Sequence, residues 1–121
     1  SSNKPNFVLL FNHDSDVLNG NEKNKLKKIV ELQKKNGGEI VIVGHASSKT
    51  KNMDIAKHQL VNFKISLDRA LAVASELIRL SVSNDQIIIK AVGASQLRYL
   101  ESMPSGEAGN RRVEIFLTSM I

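Results

Sequence analysis

Apolar positions fall into short continuous runs and longer periodic stripes, and the two alternate along the chain. Phe7-Val8-Leu9-Leu10-Phe11 is a continuous run of strand length and predicts a buried strand over 7–11. Turn-forming Asn12-His13-Asp14-Ser15 breaks it. Leu26, Ile29, Val30 and Gln33 then share one face of a helix expected over 22–35, with Asn21 as its cap and Gly37-Gly38 as its stop. Ile40-Val41-Ile42-Val43 marks a second buried strand over 39–45. Residues 46–65 are polar, Lys-rich and weakly patterned, and read as a long connection. Ser66 is placed to cap the next helix, in which Leu67, Ala70, Leu71, Ala74, Leu77 and Ile78 recur at three- and four-residue spacing up to Leu80. Ile87-Ile88-Ile89 centres a third strand over 86–92. Residues 93–110 contain Pro104, Gly106 and Gly109 and read as irregular, before Val113, Ile115 and Leu117 close the chain as a fourth strand.

The expected order is strand, helix, strand, helix, strand, loop, strand. Crossover helices between strands favour an α/β fold in which a helix layer packs on a sheet. The last strand has no long helix before it, so the sheet is expected to be mixed. Residues 7–121 read as one domain and 1–6 as a linker or an artificial chain end. Function is expected in the two long connections, 46–65 and 93–110.

Composition narrows the chemistry. The 121 residues are 41% hydrophobic, enough for a core, and no apolar run approaches the ~20 residues of a membrane span. The chain has no Cys, which excludes disulfides, Cys-bound zinc, iron–sulfur clusters and thiol catalysis. A formal charge of +5 suggests an anionic partner. The kinds of cation are unevenly distributed. Ten Lys lie between Lys4 and Lys57, whereas all five Arg fall in the second half, and Arg is the better fork for carboxylate or phosphate.

Four stretches are similar to a known family. They are Gly44-His45 after the second strand, Asn62-x-x-Ile65-Ser66-x-x-Arg69-Ala70 at the second helix, Asn110-Arg111-Arg112-Val113-Glu114-Ile115 entering the last strand, and Phe11-Asn12-His13-Asp14-Ser15. Together they resemble the OmpA-like C-terminal domain of outer-membrane proteins, peptidoglycan-associated lipoproteins and flagellar stator proteins. The resemblance covers residues 7–118 and implies a two-layer α/β sandwich. It also implies non-covalent, non-catalytic binding of peptidoglycan through the diaminopimelate of the stem peptide, with no cofactor. Such a domain would anchor a larger protein in the periplasm of a Gram-negative envelope, held at the outer or inner membrane by an N-terminal region. Family members often dimerise, which admits a homodimer.

A zwitterionic ligand needs a cation for its carboxylate and an acceptor for its ammonium. By resemblance Arg69 is the cation, at the first turn of the second helix, with amides of Ser66, Leu67 and Asp68 beside it. Asn62 and Ile65 would line the ligand and Arg111 would frame it. Asn12 and Asp14 read first as turn chemistry and, by resemblance, as pocket residues. The family's usual Gly-His-Thr-Asp is here Gly44-His45-Ala46-Ser47, so Ser47 stands where the ammonium-binding carboxylate is expected. The connection up to Asn62 is about seven residues longer than the family's, and Asp54 is its only acid. Either Asp54 folds back to replace the carboxylate, or Ser47 and backbone carbonyls suffice.

Two rivals stay open. The Lys-rich first helix suggests a nucleic-acid module, but it carries no aromatic residue for base stacking, so its Lys read as a solvated face. His45 beside Ser47 suggests a hydrolase, yet no Gly-x-Ser-x-Gly elbow is present, and the three His lack metal-ligand spacing.

Overall fold

The structure is a computed structural model that describes residues 4–48 and 53–120. Residues 1–3 of the expected linker, 49–52 of the expected connection, and 121 lie outside the described residues.

Four strands form one mixed sheet: β1 (Phe7–Leu10), β2 (Ile40–Gly44), β3 (Ile87–Ala91) and β4 (Arg112–Leu117), in the order β1-β4-β2-β3. β4 runs antiparallel to both neighbours, with Leu9 opposite Val113 and Ile42 opposite Ile115. β2 and β3 are parallel, Ile42 opposite Ile89. The parallel pair is joined by α2 (Ile55–Arg79), while α1 (Gly20–Asn36) joins β1 to β2. Leu9, Ile40, Ile42, Val113, Ile115 and Leu117 face these helices and meet Leu26, Ile29, Val73 and Leu77 in the core.

Three expectations change. Asn19, not Asn21, caps α1, its Oδ1 accepting from the Glu22 amide at 3.0 Å. Glu22 is free to reach away from the helix and accept from the Leu10 amide at 2.9 Å. The second helix starts at Ile55, twelve residues before its apolar stripe begins at Leu67. Asp54 is its cap, accepting from Lys57 N at 2.9 Å, and Ser66 lies deep inside it. Its first turns make no core face: Ile55, Leu60 and Val61 are exposed, so periodicity gave no signal there. Finally, the stretch expected to be irregular contains a short helix, α3 (Pro104–Asn110), with Pro104 in its first turn.

Two glycines set the height of α2 over the sheet. A Cβ on Gly44 would lie 1.9 Å from the Ser66 carbonyl oxygen, and one on Gly93 would lie 3.2 Å from Phe63 N. Gly93 also has a φ of +58°, a conformation glycine adopts without strain. The middle of α2 therefore rests on the ends of β2 and β3. Ser66 locks it there, its hydroxyl donating to Phe63 O at 2.7 Å and accepting from Gly93 N at 2.9 Å.

Candidate functional site

This close approach brings one stretch of α2 over the loops that follow β1 and β2. An open cleft results, lined by His13, Asp14, Ala46, Ser47, Val61, Asn62, Ile65, Arg69 and Arg111. It draws on four separate parts of the chain.

Arg69 is 1% exposed and sits four turns into α2, not at its first turn. The expected rim of Ser66, Leu67 and Asp68 amides is therefore absent, because those N–H groups lie within the helix ladder. The guanidinium is held instead by carbonyls from two loops. Nε donates to Ser15 O at 2.9 Å, one terminal nitrogen to His45 O at 3.1 Å and the other to Asn12 O at 3.2 Å. It also lies 5.6 Å from the Phe11 ring centroid. Three of its five N–H groups are thus committed to the loops. Burial, and then the nearby Arg111, push its pKa down to about 10, opposed by Asp14 and Asp16, so it stays charged at neutral pH.

Arg111 ends α3, and its Nε donates to Phe11 O at 3.1 Å. Its neighbour Arg112 turns away from the cleft and is 3% exposed. Arg112 bonds Glu114 at 2.9 Å and Gln96 O at 3.1 Å, tying the segment after β3 to β4. Asn62 is buried in the cleft wall beside Ile65.

Ser47 lines the cleft but also hydrogen-bonds Glu101. Glu101 additionally accepts from Ser48 N at 2.8 Å, the Ser48 hydroxyl and Asn110 Nδ2 at 3.1 Å. Burial acts to raise the Glu101 pKa, but these donors together hold it below the ordinary value. Asp54 is exposed at the start of α2, occupied as its cap, and is not among the cleft residues. The carboxylate that does line the cleft is Asp14, held at a φ of +52° in the turn after β1. His13 Nε2 lies 3.2 Å from its Oδ2. His13 carried no signal of its own in the sequence beyond standing next to Asp14.

His45 does not join Ser47 in the cleft. Its ring is 1% exposed, with Nε2 3.3 Å from Glu114 Oε1 but not aligned as a hydrogen bond. Burial first, then Arg112, lower its pKa to about 4 against the pull of Glu114. The imidazole is neutral at pH 7 and packs as a strand-end residue. Among the described residues no three His, Asp or Glu side chains group as metal ligands, and no helix is long and apolar enough to cross a membrane.

The fold has solved counterparts. The OmpA-like domain of FopA1 from Francisella tularensis subsp. tularensis SCHU S4 is 27% identical, with a TM-score of 0.75 over 89% of this chain and 68% of that one. The peptidoglycan-associated lipoprotein from Burkholderia pseudomallei is 21% identical, with a TM-score of 0.78 over 90% of this chain and 87% of its own. The cell wall anchor of the T6SS from Pseudomonas aeruginosa is 24% identical, with a TM-score of 0.72 over 89% and 75%. No curated protein matches the chain in sequence. The OmpA family matches residues 10–111, which include every cleft residue named above, and the chain belongs to that family.

Proposed function

We propose that the chain binds peptidoglycan non-covalently, without catalysis, by holding the diaminopimelate of a stem peptide in this cleft. The observation that carries the reading is the convergence of two guanidiniums and a buried amide on one open cleft in an OmpA-family chain. Arg69 and Arg111 supply the positive field for the ligand carboxylate, and Asn62 offers both a donor and an acceptor. Ile65 packs on the aliphatic stem of the ligand, and Ser47 borders it. Asp54 takes no part, since its carboxylate caps α2. Two of the solved counterparts are, by name, peptidoglycan-associated and a cell wall anchor, which supports the same partner here. The domain would act in the periplasm, anchoring a larger envelope protein to the wall from its N-terminal side.

The position of His45 supports a non-catalytic reading over a His45–Ser47 hydrolase. Hydrolysis by Ser47 needs a base within hydrogen-bond reach. The neighbouring imidazole, His45, is buried beside Glu114 outside the cleft.

Co-sedimentation with purified sacculi tests the reading. Wild type should pellet with the wall. Arg111→Ala and Asn62→Ala should each retain at least about fivefold less, as expected for loss of a charged or buried polar contact. Both should melt near the wild-type temperature. Equal retention of all three proteins would overturn the assignment of the cleft.

A further inference from the structure

The cations at the cleft are better buried than the anions near it: Arg69 is buried and Arg111 partly so, whereas Asp14 and Asp16 are exposed. Arg69 and Arg111 stand on one side, close enough for Arg111 to weaken proton binding at Arg69. Against them, among the described residues, the cleft lining offers one carboxylate, Asp14. That carboxylate is at the solvent rim, its side chain 79% exposed, and it already faces His13. Asp16 also acts on Arg69, but from an exposed position outside the cleft lining; the remaining acids are spent or absent. Glu101 is taken up by Ser47, Ser48 and Asn110. Asp54 caps a helix, and position 47 is a neutral hydroxyl. Arg69 is buried with only carbonyl dipoles as direct partners.

Resting on the stem-peptide reading above, we infer that this cleft selects its ligand by a free carboxylate and is nearly indifferent to the ammonium beside it. Two mutually repelling, poorly hydrated guanidiniums gain from any anion that enters between them. An ammonium in the same place meets that positive field and finds neutral acceptors on Asn62 and Ser47 and an exposed carboxylate, whose attraction water screens. The preferred ligand is a stem peptide whose third residue ends in an unamidated carboxylate. Amidation of that group should act as an off-switch for binding.

Four synthetic tripeptides, L-Ala-γ-D-Glu-X, each with the α-carboxyl of X blocked as the amide, separate the two side-chain charges when titrated calorimetrically into the full chain. X is meso-diaminopimelate, its side-chain amide, 2-aminopimelate (carboxylate without ammonium) or L-lysine (ammonium without carboxylate). The 2-aminopimelate peptide should bind within about threefold of the diaminopimelate peptide, as for loss of an exposed ion pair. The amide and lysine peptides should bind at least about tenfold more weakly, as for loss of a charge-assisted contact. Asp14→Asn should change none of these affinities by more than about threefold. Ser47→Asp combined with Glu101→Gln places a carboxylate in the cleft without one facing it from behind. That variant should favour diaminopimelate over 2-aminopimelate by at least about fivefold. The inference is overturned if 2-aminopimelate loses tenfold or more in the wild type, or if the amide binds like the acid. If sacculi are retained in the wild type but carboxylate preference is missing, the stem-peptide reading stands and this inference alone falls. If neither sacculi nor any peptide binds, both fall.

Discussion

Arg69 and His45 show how two buried polar side chains near one loop do different work. Arg69 keeps its charge because three carbonyls and the Phe11 ring replace part of its hydration. It therefore clips the turn after β1 to the end of β2, and the cleft exists between the two clipped loops. His45 has no aligned partner on either ring nitrogen and solves its burial by staying neutral. This makes the fold acid-sensitive in a defined window. The imidazole titrates at 6.5 when exposed and at about 4 when folded, so below pH 6.5 the unfolded chain binds the extra proton. Stability is full above 6.5 and declines as pH falls towards 4, by up to ~3 kcal/mol for this group. Urea unfolding midpoints of wild type should hold level from pH 7.5 to about 6.5 and then fall towards pH 4.5. His45→Gln, less stable at pH 7.5, should show a flatter profile below pH 6.5. A parallel decline in both proteins would assign the acid sensitivity to other groups.

At the scale of elements, sequence pattern was a good guide wherever an element has a core face and a poor one elsewhere. β2, β4 and the second half of α2 carry apolar residues that match their burial, whereas within β1 and β3 only Leu9 is buried and Leu10 and Ile89 are exposed. The first turns of α2 stand clear of the core, and α3 is short and held by Gly106 and Asn110 rather than by apolar periodicity. Neither could be read from hydrophobic spacing. The same gap misplaced Arg69 at a helix start and left Asp54 open as a substitute carboxylate. Asn62, Ile65 and Arg111 were legible only through the family motifs, and all three line the cleft with Ser47. Asp14 was legible as a turn residue from its type and as a pocket residue only by resemblance, and it lines the cleft. The structural role of Asp54 leads to a clean expectation. Asp54→Ala removes the α2 cap and should cost about 1 kcal/mol in unfolding free energy. Its affinity for the diaminopimelate tripeptide should remain within about twofold of wild type, because capping energy is local to the first turn. A tenfold loss of affinity at unchanged stability would return Asp54 to the site.

At the scale of the whole molecule, the question is what the net charge of +5 contributes once the cleft is assigned to Arg69 and Arg111. The α1 lysines Lys23, Lys27, Lys28, Lys34 and Lys35 are all exposed. Lys34 and Lys35 end α1 next to the start of β2, whereas the cleft lies beyond the end of that strand. Five strand residues span about 16 Å, roughly twice the screening length at physiological salt. These lysines should therefore be silent towards a small ligand in the cleft. The wall is different, because it is an extended polymer that presents many carboxylates to the whole surface at once. Lys34→Glu combined with Lys35→Glu should leave tripeptide affinity within about twofold at 0.15 M salt. The same variant should be retained less than wild type on sacculi at about 0.02 M salt, and the difference should vanish near 0.5 M, where exposed charges are screened. Wild-type retention should itself fall over that range to a plateau set by the cleft. A salt-independent gap between the two proteins would place Lys34 or Lys35 in direct contact with the polymer. Indistinguishable curves would leave the lysines as a solvated face with no part in wall binding.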